Sequence, residues 1–147
     1  KVVFDQKHCV FSDHVVVVPV GAEVEFKNSD TVAHNVKLTG TLNPSFNETV
    51  DGGKTLTKKF AQAERMKVDC SIHPWMTSYL VAVDTPHFAK TDKSGAFKIE
   101  NVPAGTYKVK VWQESLGGSA KTWNGPKEIT VKDGETAPAD FKGTPKQ

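Results

Sequence analysis

Between positions 70 and 76 the chain reads Cys70-Ser71-Ile72-His73-Pro74-Trp75-Met76, which sets a thiol, an imidazole and a thioether at Cys-x-x-His-x-x-Met. Thiolate and thioether favour Cu(I), and imidazole suits both oxidation states of copper. Two imidazoles and one thiolate with a weak axial thioether therefore suit neither state exclusively. A copper ion so held would change oxidation state with little rearrangement. The segment supplies one of the two imidazoles. His34, in Asn28-Ser29-Asp30-Thr31-Val32-Ala33-His34-Asn35-Val36, is the second candidate, because it follows the strand-like run Glu23 to Lys27 and a strand-end loop could bring it beside Cys70. The expected metal ligands are His34, Cys70, His73 and Met76, with one copper per chain.

The elements that must position these groups read as strands. Val15 to Val18, Glu23 to Lys27, Asn35 to Leu38, Thr55 to Phe60, Met66 to Cys70 and Tyr79 to Asp84 are short β-branched or alternating runs. Pro19-Val20-Gly21, Asn28-Ser29-Asp30, Gly52-Gly53 and His73-Pro74 punctuate them at the tight spacing of a sandwich. Ala61 to Arg65 is a short helix candidate that reads equally as a charged turn. Beyond Asp84, Ala96 to Glu100, Thr106 to Gln113, Glu128 to Val131 and Ala139 to Phe141 read as further strands, with Gly117-Gly118-Ser119 and Asn124-Gly125-Pro126 as loops.

On these residues residues 9 to 84 resemble the cupredoxins, the type 1 blue copper proteins, in a form with a short Cys-to-Met loop. The resemblance implies an all-β, Greek-key sandwich with copper under one end and electrons leaving through the exposed imidazole edge of His73. It also implies that Asn35 ties the His34 loop to the Cys70 loop. The later stretch, from Thr91-Asp92-Lys93-Ser94-Gly95 to Pro103-Ala104-Gly105-Thr106-Tyr107, is similar to the carboxypeptidase regulatory-like, transthyretin-type β modules. The expected organisation is a cupredoxin domain over 1–84 fused to a small β-sandwich-like extension over 85–147. The customary opening strand of that module would coincide with Tyr79 to Asp84, so a shared strand is expected.

Cys9 and Cys70 are the two cysteines, and their count permits a disulfide, two thiols, or a metal thiolate with one thiol. Cys9 is expected on the strand that feeds Val15 to Val18, near the metal end, with His8 as a neighbouring donor. His14 and His87 read as surface residues and Met66 as core.

The remaining features exclude several functions. In 147 residues, 19 Lys and Arg stand against 17 Asp and Glu, spread along the chain, so there is no basic block for nucleic acid or anionic lipid. The longest apolar run, Val15 to Val18, is far below the about 18 residues of a membrane span. A chain opening on Lys1 with no signal pattern is consistent with the mature form of an exported, soluble, periplasmic protein, and a shortened chain would read the same. No nucleophile elbow, phosphate loop or second copper-ligand cluster marks an enzyme. The expected function is therefore single-electron transfer between redox proteins, such as cytochromes or a larger redox complex, docking near His73 and Trp75. Two alternatives stay open at this level: a copper carrier or sensor, and a metal-free interaction module with a Cys9–Cys70 disulfide.

Overall fold

A computed structural model describes residues 1–118 and 123–144 of the chain, which divides into two compact units, Lys1–Pro86 and His87–Gln147. The described residues form strands, turns and loops without a helix. The first unit holds nine strands: β1 (Val2–Lys7), β2 (Val10–Phe11), β3 (Val15–Pro19), β4 (Glu23–Asn28), β5 (His34–Thr39), β6 (Phe46–Val50), β7 (Thr55–Lys59), β8 (Glu64–Asp69) and β9 (Thr77–Val83). They make two sheets, ordered β2-β1-β4-β7 and β3-β9-β8-β5-β6. Both β1–β4 and β3–β9 are parallel pairs, so the chain crosses between sheets rather than meandering.

Period-two patterning explains why these runs become strands with one face inside. Val16 and Val18 on β3, Leu80 and Ala82 on β9, and Met66 and Val68 on β8 point inward, as do Phe4 on β1 and Val24 and Phe26 on β4. These side chains form one core between the sheets. Phe4 packs against Phe11 and Phe26 with ring centroids 5.3 and 5.4 Å apart. Burying each such ring contributes about 1.5–3 kcal/mol.

Three differences from the sequence expectation lie in this unit. Ala61 to Arg65 takes its alternative form, a bend that enters β8 at Glu64. A helix there would lack an apolar face to bury, whereas the Glu64 carboxylate gathers the amides of Thr41, Leu42 and Asn43 at 2.5, 3.1 and 2.8 Å. Strands β1 and β6 join the sheets although the sequence reading had not marked them. And Cys9 lies not on a strand but in a two-residue turn between β1 and β2, whose ladder pairs Lys7 with Val10.

The second unit contains one antiparallel pair, β10 (Gly105–Val109) with β11 (Lys127–Val131). Here the expected strands at Ala96 to Glu100 and Ala139 to Phe141 do not form ladders. Asp92 instead draws the Ser94 and Ala96 amides onto its carboxylate at 2.9 and 3.0 Å, which closes the Thr91–Gly95 turn on itself. Near Phe141, Trp123 and Gly143 make an isolated bridge. The expected loop at Asn124-Gly125-Pro126 is present, whereas Ser119 of the other expected loop lies outside the described residues. Strand β9, for which sharing was expected, pairs with β3 and β8 in the first unit.

Candidate metal centre

The four expected ligands come from three strand ends and one loop: His34 opens β5, Cys70 follows β8, Met76 precedes β9, and His73 lies in the loop between the last two. In the β5–β8 ladder Lys37 faces Asp69, so continuing the register sets Asn35 opposite Ser71, with His34 one step beyond. In the β8–β9 ladder Asp69 faces Thr77, and the next step joins Cys70 to Met76, whose carbonyl accepts the Cys70 N–H at 3.2 Å. The Met76 N–H in turn reaches the His73 carbonyl at 2.9 Å, and the Thr77 hydroxyl donates to Asp69 at 2.9 Å across the neck. The Cys70-to-Met76 segment is thereby a closed loop at the end of a hairpin. Cys70 and Met76 are buried inside it, while Ile72 and Trp75 are 51% and 64% exposed on its outer side.

Three of the four expected ligands converge. His34 Nδ1 lies 3.0 Å from His73 Nδ1, Cys70 Sγ lies 3.8 Å from His73 Nδ1, and the three ligand atoms all fall within 4.8 Å of one another. Met76 is placed across the loop from Cys70 by the backbone bond just described.

Asp30 decides what the His34 ring can do. Its Oδ2 lies 2.7 Å from His34 Nε2. The amide of Cys9 and then the imidazole of His34 outweigh the opposing effect of burial and, with the amide of His8, hold the Asp30 carboxyl at about 2. An ionised carboxylate only accepts hydrogen bonds, so Nε2 must carry the ring proton. With Nε2 carrying a proton, Nδ1 is the nitrogen that a neutral ring leaves as a lone pair, and it lies 3.0 Å from His73 Nδ1. In the sequence Asp30 reads only as turn punctuation, and its place four residues before His34 is the available signal.

Asn28 and Asn35 fix the backbone around these groups. Asn28 is fully buried, and its Nδ2 donates to the carbonyls of Val32 and Val50 at 2.8 Å each while its Oδ1 accepts the Asp30 N–H at 2.9 Å. Every polar atom of that side chain is thus spent on the loop that carries Asp30 or on tying it to the end of β6. Asn35 Oδ1 accepts the Ser71 N–H at 2.6 Å, and its Nδ2 donates to Ser71 Oγ at 3.1 Å and to Asn47 Oδ1. These bonds join the strand of His34 to the loop of Cys70. On the outer side Trp75 Nε1 donates to the Cys9 carbonyl at 2.7 Å, and its ring centroid stands 5.1 Å from that of His73.

The donor chemistry fits copper. One buried thiol and two imidazole nitrogens meet at a loop that also carries the buried Met76, the ligand types that suit both oxidation states of copper. Both cysteines are free, so the disulfide that the sequence allowed between Cys9 and Cys70 is not formed.

The fold has solved counterparts. A Cu-containing nitrite reductase from Thermus scotoductus SA-01 matches with a TM-score of 0.52 at 23% identity, over 57% of this chain and 22% of that one. An amicyanin variant in its Cu(I) form matches with a TM-score of 0.52 at 19% identity, over 56% of this chain and 81% of that one. A purple cupredoxin from Nitrosopumilus maritimus matches with a TM-score of 0.49 at 21% identity, over 56% of this chain and 100% of that one. Together with the sheet order, the first two define the class of fold: a cupredoxin-like β-sandwich. The match spans about a fifth of the nitrite reductase chain, so the fold is what the two share. The family model for polysaccharide lyase family 4, domain II matches residues 86–139, a description different from the regulatory-like modules that the turn motifs resemble. No curated protein matches the chain.

Proposed function

We propose that the chain is a mononuclear type 1 copper protein that carries single electrons, with one copper held by His34, Cys70, His73 and Met76. The observation that carries this reading is the convergence of the Cys70, His73 and His34 donor atoms, with Asp30 fixing the His34 ring so that Nδ1 is free to bind. Copper in such a set would supply a one-electron couple, because the ligands are a compromise that suits neither oxidation state exclusively.

The chain's own residues perform the rest. Asn35 and the Cys70–Met76 backbone bond keep the ligand loop from following the metal's preferences, and burial of His34, Cys70 and Met76 keeps water from their donor atoms. His73 is half-buried among exposed Ile72, Pro74 and Trp75, which gives a redox partner an apolar surface within a ring's width of a ligand. In this reading the partners are cytochromes or a larger redox complex docking near His73 and Trp75, the setting is periplasmic, and no substrate bond is made or broken. The copper domain is residues 1–84, and 85–147 is a β module of the regulatory-like type that orients it towards such a complex. The start of the family-model match at residue 86 supports that boundary.

Adding Cu(II) tests the reading. One equivalent should produce an intense visible absorption from thiolate-to-copper charge transfer, bleached by reductant and restored by oxidant. The band should vanish in Cys70→Ala and persist in Cys9→Ala. A colourless complex, or a band that survives Cys70→Ala, would sink it.

A further inference from the structure

The copper site leaves Cys9 unexplained. It is the second residue of the β1–β2 turn, where His8 and Cys9 adopt φ of 57° and 54°, left-handed values that residues other than glycine take at a cost. Asp30 holds the turn in that shape by accepting the His8 N–H at 2.7 Å and the Cys9 N–H at 2.9 Å. The result is a second convergence: the Cys9 thiol, an Asp30 carboxylate oxygen and a His34 ring nitrogen lie within 4.8 Å of one another. The His34 nitrogen bonded to Asp30 is Nε2, whereas Nδ1 faces His73 and Cys70. One imidazole therefore stands between two donor sets, with a different nitrogen turned to each.

We propose that Cys9, Asp30 and His34 Nε2 form a second metal site, for a divalent cation of the zinc class. Thiolate, carboxylate and imidazole are the donors such an ion takes, and three protein ligands leave a fourth tetrahedral position for water. The ion can arrive from solvent, because Cys9 is half-buried and the Asp30 side chain is 16% exposed while His34 is closed off. On binding, the thiol proton of Cys9 passes to solvent and the Nε2 proton of His34 leaves that nitrogen, moving to Nδ1 when that side is empty and to solvent when copper holds it, so one proton is released without copper and two with it. The bond from Nε2 to Asp30 is replaced by bonds from both groups to the ion. When copper occupies the Nδ1 side, His34 becomes a bridging imidazolate. Only that bridge rests on the copper reading; the three donors do not.

Copper-loaded protein titrated with Zn(II), with bound metals counted by elemental analysis after gel filtration, tests the proposal. The expected result is one zinc per chain taken up beside the copper. In Cys9→Ser the zinc affinity should fall by about tenfold or more, with the visible copper band and the thermal unfolding of the chain retained. Zinc uptake equal in the wild type and Cys9→Ser, or uptake only with loss of an equal amount of copper, overturns the site. Should the chain take no copper, Co(II) added to the Cys70→Ala chain decides separately, because Cys9 is then its one thiol. A thiolate-to-cobalt charge-transfer band that disappears on further replacing Cys9 by Ser supports the site, and the absence of that band overturns it.

Discussion

The Asp30 carboxylate and the His34 imidazole, four residues apart across the entry to β5, are joined by a 2.7 Å bond from Nε2 to Oδ2. That bond links the β1–β2 turn to a proposed ligand, since the same carboxylate also accepts the amides of His8 and Cys9. Asp30→Ala should therefore weaken both. Copper(II) affinity, measured by competition with a chelator, should fall about 10- to 100-fold, the usual effect of losing an outer partner of a ligand. Stability in denaturant should fall by about 1–3 kcal/mol, as amides of the turn lose their acceptor. Asp30→Asn, which keeps an acceptor oxygen, should lie between the two.

Asn35 binds the ligand loop to its neighbouring strand through both ends of its amide. Asn35→Asp keeps the acceptor for the Ser71 N–H and loses the donors to Ser71 Oγ and Asn47, whereas Asn35→Ala loses all of them. Thermal unfolding of the metal-free protein should rank the wild type above Asn35→Asp and that above Asn35→Ala, with about 1–3 kcal/mol lost in the last. Equal stability of all three would remove the cross-link from the account.

Two methionines are buried, Met76 at the ligand loop and Met66 in β8. Replacing either by Leu conserves volume and should cost less than about 1.5 kcal/mol. Only Met76→Leu should change the visible spectrum and reduction potential of the copper-loaded protein. A matching change in Met66→Leu would assign the effect to general packing.

Glu64 makes stability depend on acid. Burial raises its pKa, but hydrogen bonds from the Thr41 amide and hydroxyl and the Asn43 and Leu42 amides prevail and hold it at about 2, against 4.5 ordinarily. A folded value below the unfolded one means that the carboxylate stabilises fully above 4.5 and that this contribution is lost as pH falls towards 2. The difference in melting temperature between the wild type and Glu64→Gln should be constant at neutral pH and shrink through that window. A difference that does not change with pH would contradict the assignment.

Gln6 is fully buried on β1, and neither its Oε1 nor its Nε2 has a hydrogen-bond partner among the described residues. An unpaired buried amide costs about 1–3 kcal/mol, so Gln6→Leu should leave the protein as stable or raise its denaturant midpoint. A clear loss of stability would show that the amide is paired in solution.

The candidate loop was legible because its chemistry is contiguous: Cys70, His73 and Met76 recur at three-residue intervals, and the ends of the loop are set by the β8 and β9 patterns. His34 was legible by its place after a strand. Asp30 was not, since its role depends on a hairpin turn 21 and 22 residues away delivering two amides to it. The β1–β2 turn was itself hidden, because His8-Cys9 lacks the glycine or asparagine that usually marks left-handed backbone. Ala96 to Glu100 failed in the opposite sense: its alternation suits a strand, but the tight Asp92 turn takes up the Ala96 amide and no neighbouring ladder forms.

X-ray absorption at the copper edge of the loaded protein counts the donor atoms on the metal. One short sulfur ligand from Cys70, two imidazole nitrogens from His34 and His73, and at most a distant second sulfur from Met76 are expected. Cys70→Ser should erase the short sulfur alone. A copper surrounded by nitrogen and oxygen only, or a short sulfur that persists in Cys70→Ser, would contradict that ligand set.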